Sequence, residues 1–277
     1  MMNIIRADMY RIVRGKGLYI TLVVLLAVIV LQIVGGSNMN AGVNTETIDI
    51  TSMDMENFDR GSFNIADFFH SPTGVEAPFQ VMGATSNILY ILLPLIIIIS
   101  AADFTSGAAR NALTSGVSRF KFYCSKLILS CIFCAALLIV YVLFSIIVAT
   151  IINGFGGPLN MTYVSDVLKV FLPQLLLCLA GACVTHFFVF TFKRSAAAIG
   201  INIAFLLLPS VLILILSFIS GWFKNLFDYE LTSNIGALAK ISSMSSGDII
   251  RTLLVGAGYI VLAAFGGFFV FKKAEIR

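Results

Sequence analysis

Charge is what this chain lacks. Of its 277 residues only 12% are Asp, Glu, Lys or Arg, while 59% are hydrophobic; a water-soluble domain carries about 25% charged residues. With a mean hydropathy of +0.99 there is too little polar surface to cover a globule in water, so lipid is the solvent for most of the chain. Histidine is scarcer still: His70 and His186 stand alone, without ligand spacing. The P-loop pattern G-x-x-x-x-G-K-[ST] is missing, since Arg14-Gly15-Lys16-Gly17 has the Gly-Lys pair but neither the upstream glycine nor the Ser or Thr. There is no H-E-x-x-H helix and no G-x-S-x-G elbow. Nor are a Ser/His pair or paired aspartates placed for intramembrane proteolysis. Nucleotide hydrolysis, zinc peptidase and serine hydrolase chemistry are thereby excluded for the chain itself, and no catalytic, cofactor-binding or metal-binding residue is expected in it.

Cysteine is sparse and unevenly placed. Cys124, Cys131, Cys134, Cys178 and Cys183 all fall in or beside two apolar runs. Cys131-x-x-Cys134 has a metal-like spacing, but no second pair accompanies it, and buried thiols packing as small hydrophobes are the expectation.

What is abundant is long apolar sequence. A bilayer core about 30 Å thick requires roughly 20 apolar residues per crossing helix. Six runs meet or approach that length: Leu18–Val34, Val81–Ala102, Leu127–Ile152, Val170–Phe192, Ala196–Ile219 and Thr252–Phe271. They are too long for barrel strands and do not alternate in polarity. Backbone groups in lipid must be satisfied within each segment, which leaves helices. The expected fold is therefore all-α, one polytopic domain over residues 1–277 with six transmembrane helices. The first run ends in Gly35-Gly36-Ser37-Asn38 without a small-x-small cleavage pattern, so it reads as a retained span rather than a signal peptide.

Basic residues set the expected orientation. With the N-terminus cytoplasmic, the inside segments hold 13 of the 18 Lys and Arg residues, and Arg60, Lys169, Lys224, Lys240 and Arg251 remain outside. The positive-inside rule then places both termini in the cytoplasm. This asymmetry accounts for the net charge of +4 and implies no nucleic-acid partner.

Residues 1–17 are amphipathic: Ile5, Met9, Ile12 and Val13 share one helical face, and Arg11 and Arg14 point elsewhere. Such a helix is expected to lie in the membrane interface with its cations near anionic headgroups. Residues 35–80 form the first extracellular loop, acidic through Glu46, Asp49, Asp54, Glu56, Asp59, Asp67 and Glu76. Residues 220–251 form a later extracellular segment, aromatic at its start and apolar enough over Ile235–Ile241 to dip back into the bilayer. Ser245 and Asp248 have capping-box spacing ahead of the last span. The spans carry no ionisable group but His186, unlike ion-coupled carriers.

The most informative stretch is the cytoplasmic loop 103–126. It combines an acid at a helix exit (Asp103), a glycine turn (Gly107), a short helix and basic residues leading back into the membrane. Asp103, Phe104, Gly107, Arg110, Leu113, Gly116, Ser118, Arg119 and Lys126 match in order and spacing the loop after the second span of the ABC-2 type transporter permeases, which the whole chain resembles in layout. Asp103 replaces the commoner Glu, and Ala108 the commoner Thr. The resemblance implies a permease subunit of an exporter in a bacterial plasma membrane, paired with a second copy or a similar permease. It implies a separate ABC ATPase subunit, which would hold the ATP and magnesium. The loop would be the coupling helix, with Asp103, Gly107, Arg110, Leu113 and Arg119 as coupling residues and Lys193-Arg194 as a second cytoplasmic contact. In size and layout the chain is most similar to permeases that export phenol-soluble modulins and to the bacitracin-resistance type, which implies a hydrophobic or amphipathic substrate such as an antimicrobial or cytolytic peptide. Two other readings stay open: a peptide-binding immunity or sensor subunit that does not transport, and an ATP-independent carrier or channel.

Overall fold

The computed structural model describes residues 2–34, 72–83, 86–238, 241 and 244–273. Most of the acidic first loop, with His70 and Arg60, lies outside them, as do Lys240 and Arg277. Among the described residues there are helices and turns but no strands. In chain order the helices are α1 (Met2–Arg14), α2 (Lys16–Val34), α3 (Ala77–Gly83), α4 (Ser86–Thr105) and α5 (Ala108–Thr114). They continue with α6 (Arg119–Asn153), α7 (Met161–Phe192), α8 (Ser195–Ser217), a 3-10 segment (Gly221–Tyr229), α9 (Leu231–Ala237) and α10 (Ser246–Lys273).

Six of these, α2, α4, α6, α7, α8 and α10, are long and apolar enough to cross a membrane. The chain is an all-α multi-pass membrane protein. α4 and α7 are the most buried spans, and α8 and α10 the least, so the bundle is organised around the α4–α7 pair. At 1.5 Å per residue, the 35 residues of α6 reach about 52 Å and the 32 of α7 about 48 Å. Both exceed the hydrocarbon core. Their antiparallel hairpin turns at Gly154–Asn160, where Gly74 N and Val75 N each donate 3.0 Å bonds to the carbonyls of Gly154 and Phe155. Asn153 Nδ2 adds a 2.9 Å bond to Pro72 O.

Polar side chains inside the bundle tie helices together. Tyr141 Oη donates to Gln32 Oε1 at 2.7 Å, joining α6 to α2. His186 Nδ1 lies 3.2 Å from Ser100 Oγ, joining α7 to α4, a helix–helix bond of the kind membrane bundles use in place of hydrophobic drive. The capping box ahead of α10 is formed: Asp248 N donates to Ser245 Oγ at 3.2 Å and Ser245 Oγ to Asp248 Oδ2 at 2.7 Å.

Two boundaries expected from the sequence are redrawn. The second span begins at Ser86 rather than Val81, because Val81 and Met82 belong to the separate short helix α3. Ile235 lies in α9; Leu231, Ile235 and Leu238 are fully buried, as are Ala77, Val81 and Met82 of α3. In both places these side chains pack against neighbouring helices. The other concerns the N-terminal helix, which ends at Arg14 rather than running to residue 17. On α1 Ile12 is buried and Ile5 and Met9 pack on the core, while Val13 stays exposed.

Candidate functional site: the basic end of the bundle

The ends of α1, α4, α6, α7 and α10 meet at one end of the bundle, and a cluster of rings holds them there. Phe104 of α4 packs edge-on to Phe190 of α7 at 5.1 Å and to Phe271 of α10 at 6.2 Å. Phe122 of α6 stacks on Phe271 at 6.0 Å, and Tyr123 lies 4.9 Å from Phe190. Edge-to-face pairs of this kind contribute about 0.5–1.5 kcal/mol each beyond area burial. α10 approaches Tyr123 closely because position 267 is glycine: a Cβ there would overlap the Tyr123 hydroxyl, which donates to Ala264 O at 3.0 Å.

Beside the rings sits a four-charge network. Lys126 of α6, only 1% exposed, pairs with Asp8 of α1 at 2.7 Å and with Asp103 of α4. Arg11 of α1 closes the ring, 2.6 Å from Asp103 Oδ1 and 3.3 Å from Asp8 Oδ1. Two carboxylates face two cations, so the buried cluster is neutral, as a desolvated charge must be to persist. Asp8 and Asp103 are the only carboxylates among the described residues at this end. Both are consumed internally. The exposed side chains of Arg6, Arg14, Lys16, Arg110, Lys121, Arg194, Lys272 and Lys273 therefore leave the end face strongly positive.

Each residue picked out in the sequence has a definite place here. Asp103 is buried in the charge network and presents no carboxylate to the surface. Gly107 turns the chain out of α4 in the left-handed region at φ 72°, with nothing within 4 Å of where a Cβ would stand. The need at 107 is thus for backbone freedom rather than space. Gly116 makes a second such turn at φ 91°, and Ser118 caps α6 by accepting from Lys121 N at 3.3 Å. On α5 between them, Arg110 is exposed, whereas Ala109 is buried and Leu113 half-buried against the core. Arg119 donates to the terminal carbonyls of α10, Lys272 O at 2.8 Å and Phe271 O at 3.2 Å, a favourable place for a cation on the helix dipole. Lys193 ends α7 in a left-handed cap at φ 54°, and Arg194 is the exposed N-cap of α8.

The arrangement is a braced platform. α5 packs on the core through Ala109 and Leu113; of the helices it joins, α6 is bonded to α10 through Arg119, and α4 to α1 and α6 through Asp103. Asp8 and the ring cluster were missed in the sequence. Asp8 does leave a trace, as the only acid in the first 34 residues. The rings leave none, because phenylalanine is common throughout. Cys131 and Cys134 remain free thiols, and no three His, Cys, Asp or Glu side chains among the described residues gather as a metal site.

Comparison with curated proteins gives no match. Residues 50–277 match the family described as protein of unknown function DUF2705. The match takes in the segment from the first loop to the end of α10 and beyond, and the chain belongs to the DUF2705 family.

Proposed function

We propose that this chain is the membrane-spanning permease subunit of an exporter of the ABC-2 type, driven by a separate ATPase that docks on the basic end. The observation that carries the reading is the placement of α5: a seven-residue helix outside the spans, turned out by Gly107 and exposing Arg110, joined at its two ends to α4 and α6, which are themselves tied to α1 by buried charges and to α10 by carbonyl bonds. A force applied to α5 reaches the spans because the contacts behind it are packed and paired rather than solvated. The positive-inside asymmetry supports a cytoplasmic basic end, the side on which, in this reading, the ATPase would dock. The exposed Arg194 at the α7–α8 corner would give a second contact. The chain itself performs no catalysis in this reading; ATP and magnesium belong to the partner.

Two such permeases would line the pathway between them. The scarcity of ionisable groups in the spans suits a hydrophobic or amphipathic substrate, such as a cytolytic or antimicrobial peptide, that enters from the lipid. The test is co-expression with a candidate ABC ATPase chosen from the same genome. The wild-type chain is expected to co-purify with it and to raise substrate-dependent ATP turnover. Arg110→Glu should abolish both while the permease still assembles in the membrane. An Arg110→Glu protein that binds the ATPase and transports normally would remove the main support for the reading.

A further inference from the structure

We infer that the outer face of α1 binds the phosphates of anionic phospholipids, along the row Arg6, Tyr10 and Arg14. The inference needs no ATPase and stands apart from the transport reading.

The depth of α1 follows from its neighbours. α2 begins at Lys16, with only Gly15 between it and the end of α1. Its 19 residues reach about 28 Å, nearly the whole thickness of a hydrocarbon core. Lys16 therefore stands at the edge of that core, and α1 lies in the headgroup layer beside it. The ion pairs of α1 put it at the same level. Asp8 bonds to Lys126 and Arg11 to Asp103. Lys126 directly precedes an apolar run that starts at Leu127, and Asp103 directly follows one that ends at Ala102.

The same contacts fix which face looks outward. Asp8 and Ile12 are buried against the bundle, and Ile5 and Met9 pack on its core. At 100° per residue, Met2, Val13, Arg6, Tyr10 and Arg14 fall within an arc of about 120° turned away from them. All five are exposed.

Three features of that arc fit lipid phosphate. It carries cations alone, because the one carboxylate of α1, Asp8, is bonded to Lys126; among the described residues no carboxylate pairs with Arg6, Arg14 or Lys16. Arg14 is already positioned: its guanidinium lies 4.6 Å from the centre of the Tyr10 ring. Stacking of this kind leaves the N–H edge for a phosphate, which it meets bidentately. Lastly, the arc is partly apolar, with Met2 79% exposed and Val13 44%. Against water or an acidic protein surface these two side chains gain nothing. In a headgroup layer they reach the acyl boundary while the cations stay at the phosphates. Since Ile5, Met9 and Ile12 pack on the bundle, attachment through the outer face is chiefly electrostatic and depends on the charge of the lipid.

The experiment uses the full-length protein in a neutral detergent, titrated with phosphatidylglycerol or with phosphatidylcholine of the same acyl chains. Native mass spectrometry counts the lipid retained. The wild type should prefer phosphatidylglycerol about 10-fold, and Arg6→Gln with Arg14→Gln should bring the two lipids within about 2-fold, as the loss of two cations at a headgroup layer implies. Arg110→Gln with Lys272→Gln removes the same charge elsewhere on the basic end and should leave the preference intact. Arg14→Lys keeps the charge and should retain most of it. Salt on the unmodified protein gives an arm free of substitutions: the preference should collapse at about 1 M, where charges are screened beyond about 3 Å. Inorganic phosphate should not displace the lipid. No preference in the wild type, or one that survives salt, would overturn the inference and leave the arc to a protein partner. An equal loss in the Arg110→Gln, Lys272→Gln protein would overturn it in favour of diffuse charge, and displacement by inorganic phosphate in favour of a soluble anion.

Discussion

Lys126 Nζ and Asp8 Oδ2 lie 2.7 Å apart across the contact between α6 and α1, 118 positions apart in sequence. That bond, with Asp103 on the other side of the ammonium, turns the N-terminal helix into part of the bundle. A lysine 1% exposed is held there by two carboxylates, and the carboxylates in turn need it.

Lys126→Met should therefore be severely destabilising. It leaves Asp8 and Asp103 buried with only the half-exposed Arg11 to offset them, and breaking a buried pair from one side costs about 3–5 kcal/mol. Fluorescence-detected size exclusion after a heat step should show loss of the folded peak. Adding Asp103→Asn should recover part of it, because one uncompensated charge is removed. A Lys126→Met protein as heat-resistant as wild type would mean that the network contributes nothing.

Gly107→Ala tests the exit from α4. A Cβ at 107 would meet no atom within 4 Å, so any cost arises from φ 72° alone, about 1–2 kcal/mol for a residue with a Cβ. Gly107→Asn should cost less than Gly107→Ala, since asparagine tolerates this region better. The order of melting temperatures should be Gly, Asn, Ala; the reverse order would point to a different cause.

Gly267→Ala tests the approach of α10 to Tyr123. The added methyl overlaps the Tyr123 hydroxyl, and overpacking of a core costs about 1–3 kcal/mol. Tyr123→Phe removes the overlapping atom at the expense of the bond to Ala264 O. The double variant should thus be more stable than the sum of the two single losses predicts, and a double-mutant cycle measures that coupling. Strict additivity would show that the two positions do not interact.

Leu113→Asp separates docking from packing less cleanly than the sequence implies. Read as a projecting residue, Leu113 could carry a charge without disturbing the spans. In the structure it is half-buried against the core, so the aspartate is expected to lower the melting temperature as well as any binding at this end. Thermal melts of Leu113→Asp and Arg110→Glu side by side should show a drop for the first and none for the second.

Orientation is open to direct measurement. Leu159, exposed in the α6–α7 turn, and Ser115, exposed at the end of α5, lie at opposite ends of the bundle. Single cysteines there should label from outside intact cells at 159 and only after permeabilisation at 115. The opposite pattern would invert the topology and place the basic end outside.

The sequence by itself determined the solvent, the helical class, the number of spans and the cap of α10. Each follows from local quantities: the length of an apolar run against the thickness of a bilayer, the backbone's need for hydrogen bonds, and the spacing of Ser245 and Asp248. It also marked Gly107 as a turn, since few residues other than glycine tolerate that backbone region. Only the tertiary structure decided whether an apolar stretch meets lipid or protein. α3, α9 and the inner face of α1 are apolar for the same reason as the spans, yet they are covered by neighbouring helices, and a hydropathy pattern does not say what does the covering. The pairing of charges was equally hidden. Asp8, Arg11, Asp103 and Lys126 are spread over 119 residues, and what brings them within bonding distance is the packing of α1, α4 and α6. Coulomb attraction acts on separation in space, and sequence records only separation along the chain.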